Sequence, residues 1–209
     1  MNTIENLKWR YAVKKFDENK SLSETQITTL KEAFNLTATS YGLQPVKMVV
    51  IQNKEIQQQL VAHSWNQQQI LQASHVLVLC IPKEYSLTDI DAYFSYVKKV
   101  RNTPDAILSP FKKILRETIG TKTQEELRNW NKNQAYIALG NLMTVAANQQ
   151  IDSCPMEGFI PEKYDEVLGL DKHNLTSVLV LPVGFRAEDD YMKDLKKVRK
   201  NIEDIIIEM

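Results

Sequence analysis

The segment QAYIALGNLMTVAANQQ, residues 134–150, is apolar almost all the way round. Ala135, Ile137, Ala138, Leu139, Leu142, Met143, Val145, Ala146 and Ala147 cannot all face one sheet at helical spacing. A helix without a polar face is buried on every side. It belongs either in the centre of a domain or at a subunit interface. The small residues Ala138, Gly140, Ala146 and Ala147 would admit a second backbone at close range. Obligate interfaces resemble a core cut in half, which favours the interface over a purely internal position. The whole helix is expected to run from about Thr123 to Gln149.

On either side lie the strands such a helix would cover. VKMVVIQN at 46–53, HVLVLCIP at 75–82 and SVLVLPVGF at 177–185 are β-branched and nearly continuously apolar. That is the pattern of strands covered on both faces. Helical periodicity fills most of the remainder. Ser23 followed by Gln26 forms a capping-box pattern opening a helix through about Leu36. Pro104 stands where an amphipathic helix running to Ile119 would begin. KEYSLTDIDAYFSYVKKVRN, within the region of about 84–122, suggests a mobile helical cover over a pocket. No repeat, low-complexity tract or linker breaks the chain, so residues 1–209 read as one α+β domain with two terminal arms. The last residues, NIEDIIIEM, hold four isoleucines, and leaving them in water is costly. This tail is expected to pack on the sheet edge or on a partner subunit.

Composition excludes several classes. The 26 basic and 26 acidic residues cancel, so there is no bulk attraction to nucleic acid or to an anionic membrane. No apolar run approaches the roughly 20 residues that span a bilayer, and MNTIENLKWR has no apolar core of a secretory signal. Cys80 and Cys154 form no metal spacing, and His63, His75 and His173 are isolated, so no metal site is expected. The reading is a reduced, cytoplasmic protein.

The charge is nevertheless uneven. WRYAVKKFD at 9–17 sets Arg10, Lys14 and Lys15 among aromatics, and KDLKKVRK at 193–200 forms a second cationic cluster. Either alone reads as a solvated face. CPMEGF at 154–159 is a Pro-then-Gly loop of the kind that lets backbone N–H groups approach a flat ligand. The chain has neither a Walker A nor a GxGxxG loop, so a bound phosphate would be held by Arg and Lys side chains.

These stretches together resemble the FMN-dependent nitroreductase family, which includes oxygen-insensitive nitroreductases and dihydropteridine reductase-like enzymes. WRYAVKKFD is similar to the family's Arg-x-Ser-x-Lys-x-Phe-Asp pattern. TSYGLQPVKMVVI, NQQQILQASHVLVLC, PMEGF, VLPVGF and the late KKVR follow in register over nearly the whole chain. The resemblance implies a three-layer α/β/α fold with a central mixed sheet and a long buried helix at a homodimer interface, the terminal arms wrapping the partner.

It also implies a site. Arg10, Lys197 and Arg199 would hold the FMN phosphate, flanked by Tyr11 and Ala12. Lys14 would lie near the N1/O2 edge of the flavin, where Gln69 stands in place of a second cation, with Asn66 at the polar rim. In the loop Pro155–Met156–Glu157–Gly158, the N–H groups of Glu157 and Gly158 would face N5 and O4. Ala38, Thr39, Ser40 and Gly42 would reach the flavin from the other subunit. Tyr41, Lys14 and Asn66 would meet NAD(P)H or the substrate.

The chemistry is carried by FMN, so no catalytic acid or base is named. NADH or NADPH and a small-molecule oxidant, a nitroaromatic or a quinone, would take turns at one slot, giving ping-pong kinetics. Two departures stand out. Ala12 replaces the pattern's serine, and Gln69 stands where the family often has a lysine. Alternatives remain: a flavin, pteridine or enal reductase of the same fold, or a non-catalytic flavin-binding redox sensor. Trp130 and Tyr136 read as core or interface residues, Cys154 as a small buried thiol and His75 as a packed histidine.

Overall fold

The computed structural model describes residues 2–209. Helices α1 (Thr3–Trp9) and α2 (Glu24–Asn35) precede strand β1 (Lys47–Ile51). Next come α3 (Lys54–Ala62), α4 (Gln69–Gln72) and β2 (His75–Pro82). The helical region α5 (Leu87–Arg101), α6 (Asp105–Gly120) and α7 (Gln124–Asn148) follows. The chain then forms β3 (Asp152–Ser153), α8 (Pro161–Leu168) and β4 (Leu175–Gly184).

Local chemistry sets the helix starts. Reciprocal capping boxes open four helices: Asn2 with Glu5, Ser23 with Gln26, Ser86 with Asp89 and Thr123 with Glu126. Pro104 precedes α6 and Pro161 is the first residue of α8, where a missing N–H costs nothing. Asn102 and Gly169 end α5 and α8 in the left-handed conformation.

The sheet runs β1-β2-β4-β3 and every ladder is antiparallel. Among the described residues, the expected mixed character enters only through an isolated parallel bridge between Ala12 and Ser153. Residues Val76 to Ile81 are each 0% exposed, and their alternation divides the core in two. Val76, Val78 and Cys80 pack with Leu60, Ile70 and Tyr164 under α3, α4 and α8. Leu77, Leu79 and Ile81 pack with Leu30, Leu139 and Leu142 under α2 and α7. Three layers result, helices on both faces of one sheet. Double coverage holds for β2 and β4 but not for β1, whose Met48, Val49 and Val50 are half-buried because it is an edge strand.

Two expectations about burial are not met within the single chain. Helix α7 buries Ala135, Ala138, Leu142 and Ala146 against the sheet, yet Tyr136 and Ile137 on its outer face are exposed. Gly140 lies on that face too, with open space where a Cβ would stand. The tail isoleucines Ile202, Ile205, Ile206 and Ile207 are exposed as well.

The ends of the chain are stitched together beside β3. Buried Asn6 in α1 donates to Asn148 at 3.0 Å and accepts from Gln150 at 3.0 Å, fixing α1 on the end of α7. The chain then passes β3 at the Ala12–Ser153 bridge and meets the exit of β4. There Asp17 N–H donates to Phe185 O at 2.8 Å and Ala187 N–H to Lys15 O at 2.9 Å. Residue 10 and the stretch after residue 186 thus come to one side of the molecule.

Candidate functional site

The two cationic clusters, about 180 residues apart in sequence, line one cleft of about 580 Å³. Arg10, Tyr11, Ala12 and Pro155 form part of its wall, and Lys197 and Arg199 part of the other. Six lining residues are Lys or Arg and none is Asp or Glu. Like charges therefore gather without an internal counter-ion. Burial, and after it Arg199, holds the Arg10 guanidinium below its ordinary range. Burial, then Arg10 and Arg199, does the same to Lys197. Arg10 Nε is buried and has no hydrogen-bond partner. Lys197 Nζ donates to the carbonyl of Leu7 at 2.5 Å and to that of Arg10, tying the second cluster to the first. An anion in the cleft would relieve the repulsion and give Arg10 the partner it lacks.

Behind this wall stands a pair that the sequence reading missed. Arg186 takes Asp152 in a forked contact, Nε to Oδ1 at 2.9 Å and its backbone N–H to Oδ2 at 2.8 Å. Its guanidinium also lies over the rings of Trp9 at 4.2 Å and Tyr11 at 4.5 Å. Asp152 is 3% exposed. The residues flanking Arg10 are thus held by a cation that is itself fully engaged. Only aromatic spacing around Arg10 hinted at this, since the partners lie some 140 and 180 residues away.

The 154–159 loop leaves donors free. Met156 is buried and bridged to Val180, its N–H donating to Val180 O at 2.8 Å. Among the described residues the next two N–H groups, of Glu157 and Gly158, have no protein acceptor. The Glu157 carboxylate accepts from Tyr136 OH at 2.7 Å, which anchors the loop to α7.

Gly158 is required by a neighbour. A Cβ there would come within 2.8 Å of Trp65 Cζ3 and 3.1 Å of Gln67 Nε2. Trp65 and Asn66 are consecutive left-handed residues, φ 54° and 57°, a strained arrangement for non-glycine side chains. It is held by Asn66 N–H donating to Val61 O at 3.1 Å and Gln67 Nε2 to Gly158 O at 3.1 Å. Trp65, 70% exposed, was not singled out from sequence.

Lys14 is half-buried and does not line the cleft. It lies close enough to Cys154 to favour the thiolate, as does a hydrogen bond from Gln69, but burial outweighs both and pushes the thiol up. Cys154 is therefore an unreactive buried thiol. Gln69 is buried and Asn66 exposed.

Ala38, Thr39, Ser40, Tyr41 and Gly42 are not at the cleft of their own chain. They form a tight turn against α7, Ser40 N–H donating to Gln134 Oε1 at 2.8 Å. Tyr41 is left-handed at φ 57° and lies 6.4 Å from Phe111 and 6.5 Å from Trp130 between ring centroids. Trp130 therefore belongs to an aromatic cluster with Tyr85 and Tyr41. Gly42 is confined by Tyr93, whose hydroxyl would stand 2.8 Å from an added Cβ.

Comparison with known proteins gives a consistent picture. Residues 7–185 match the model of the Nitroreductase family. A Staphylococcus epidermidis protein provisionally named NAD(P)H nitroreductase is 33% identical over 97% of this chain and 94% of its own length. An Exiguobacterium sibiricum structure, described as a nitroreductase in complex with FMN, superposes with a TM-score of 0.85 at 20% identity, covering 100% of this chain and 98% of that one. An enone reductase of gut-bacterial fatty acid saturation superposes with a TM-score of 0.81 at 18% identity, covering 100% and 98%.

Proposed function

Because the chain belongs to the nitroreductase family, and is thus an oxidoreductase, we propose that it uses FMN to pass electrons from NADH or NADPH to a nitroaromatic or quinone. One observation carries this reading: the anion-seeking cleft of Arg10, Lys197 and Arg199, walled by Pro155 at the head of a loop with two unpaired N–H groups. These residues fit the cofactor. The orphaned Arg10 Nε and the uncompensated cations match a phosphate dianion, and the cleft volume lies in the range of small-molecule sites. FMN, when bound, supplies hydride acceptance and release at N5.

The chain's own groups bind and orient. Arg10, Lys197 and Arg199 counter the phosphate charge. The N–H groups of Glu157 and Gly158 offer fixed donors to the polar edge of the flavin. Lys14, set off from the cleft lining, would supply a cation toward the flavin ring, and Asn66 a polar side chain at its rim. No side-chain acid or base is needed.

The proposal includes a homodimer in a reducing compartment. The open face of α7, with Tyr136, Ile137 and Gly140, and the exposed tail isoleucines favour it, since one chain leaves this apolar surface in water. The turn at Ala38–Gly42 would then complete the partner's site, and Tyr41 would meet NAD(P)H or the oxidant. A second reading, reduction of an activated alkene in an enal or enone, draws support from the enone reductase of like fold.

The test is direct. Purified protein should be yellow, take up FMN with one-to-one stoichiometry, elute at twice its chain mass, and bleach within seconds on anaerobic NADH or NADPH. Ranking nitroaromatics, quinones and enones by kcat/KM separates the two readings. Colourless protein that takes up no FMN overturns both.

A further inference from the structure

Asp190 is a buried carboxylate that touches no cation among the described residues. It is 1% exposed. Its Oδ2 accepts from Lys14 N–H at 2.9 Å, Lys15 N–H at 3.2 Å and Tyr11 OH at 3.2 Å. Its Oδ1 accepts from Met192 N–H at 2.9 Å. Among the described residues no ion pair includes it; the Lys15 ammonium goes to the neighbouring Asp189 instead. Taking a carboxylate out of water is expensive, and it is tolerated where hydrogen bonds satisfy its lone pairs. Four donors meet that need. They come from the two stretches that carry the anion-binding cations. Tyr11 to Lys15 follow Arg10 directly, and Met192 opens the segment that holds Lys197 and Arg199.

The placement matters as much as the bonds. Asp190 does not line the cleft. A carboxylate inside it would neutralise Arg10, Lys197 or Arg199 and repel an incoming anion. Held at backbone N–H groups behind the wall, it binds both stretches without using up their guanidinium and ammonium donors.

We propose that Asp190 is a positioning residue for the phosphate grip, fixing the spacing between Arg10 and the Lys197–Arg199 cluster. This rests on the FMN reading above. Its signature is selective. Loosening the clasp weakens a ligand held by its phosphate far more than the same ring system without one.

The full chain is prepared as wild type, Asp190→Ala and Asp190→Asn. Each is stripped of flavin and titrated with FMN and with riboflavin, which lacks the phosphate. Circular dichroism records the fold. Wild type should prefer FMN. Asp190→Ala should weaken FMN by about 30-fold and riboflavin by less than about threefold, the loss expected when several hydrogen bonds to a charged group disappear together. Asp190→Asn, which keeps an acceptor oxygen in the same place, should fall between.

Equal weakening of both flavins, or an unchanged FMN-to-riboflavin ratio, in a folded variant overturns the positioning role while leaving the phosphate grip standing. Equal affinity of wild type for the two flavins overturns the grip itself and this proposal with it. Where Asp190→Ala does not fold, the ratio measured on Asp190→Asn decides.

Discussion

The cleft between the chain ends and the hairpin of α5 and α6 are held by different forces. Behind the cleft wall, polar anchors are paired: buried Asp152 on half-buried Arg186, Arg186 over two aromatic rings, buried Asp190 on four donors. In the hairpin, Ile90, Phe94, Leu115 and Ile119 join Leu43, Tyr85 and Leu127 in a small apolar cluster apart from the two that flank the sheet. Its ion pairs lie outside, such as Lys98 with Asp105, whose side chains are 52% and 72% exposed. Polar anchoring is directional and fixes atoms; apolar packing is not and tolerates rearrangement. The first suits a region that must hold an anion in one place. The second would suit the mobile cover that the sequence suggests for this region.

The largest difference should appear in stability. Asp152→Ala strands the Arg186 cation behind the cleft, and breaking a buried pair costs about 3 kcal/mol or somewhat more. For a chain of this size that lowers the thermal midpoint by about 10 °C. Lys98→Ala, which removes an exposed pair of the hairpin, should shift it by less than about 2 °C. Comparable shifts in scanning calorimetry would erase the distinction.

Arg10→Ala comes next. It removes a cation that has no other partner for its Nε, so the fold should survive while FMN affinity drops by about 30-fold, one charged hydrogen bond's worth or a little more. Fluorescence titration measures it. Unchanged FMN affinity would move the phosphate elsewhere.

Asp152 and Arg10 also mark how far the sequence could be read. Helix starts were legible because caps are local: Ser23 with Gln26 and Pro104 sit beside the turns they begin. Strands β2 and β4 were legible because continuous apolar runs need cover on both faces. That Arg10, Lys197 and Arg199 share one cleft was legible only through the family resemblance, since no local rule says that two basic stretches about 180 residues apart will meet.

Arg186 and Asp190 were not legible. Their meaning lies in partners at distant positions, and alone they are an ordinary Arg and Asp near a chain end. Trp65 escaped because its meeting with Gly158 is tertiary, and neither that contact nor its left-handed backbone has a local sequence signal. All-round burial of α7 is not completed within one chain, because hydrophobicity records the surface a residue avoids, not which chain covers it.

The hairpin is sharpened by Phe111→Ala. Phe111 is 43% exposed and meets Phe94 at 5.9 Å and Tyr41 at 6.4 Å between ring centroids. Losing those edge contacts should cost about 1 kcal/mol. FMN affinity should change by less than about twofold, while the order of oxidants ranked by kcat/KM shifts, because the Tyr41 turn leans on this ring. A large loss of FMN would join the hairpin to the cleft and end the contrast.

The smallest effect tests electrostatics at the boundary of the cleft. Gln69 is buried near Cys154, at the position where the family resemblance points to a frequent lysine. A cation there favours the anionic reduced flavin over the neutral oxidised one, which raises the potential. A partly screened contact of this kind contributes about 1 kcal/mol, equivalent to about 20 mV for a two-electron couple. Burial and the nearby Lys14 and Arg10 both oppose the charged form of a new lysine. The rise in Gln69→Lys should therefore stay at or below that figure, and should shrink as pH climbs toward the lysine's lowered pKa. Redox titration across pH reads both. A potential that stays put or falls in the variant would mean that this position does not sense the flavin's charge, and that the nearby lysine, Lys14, alone balances it.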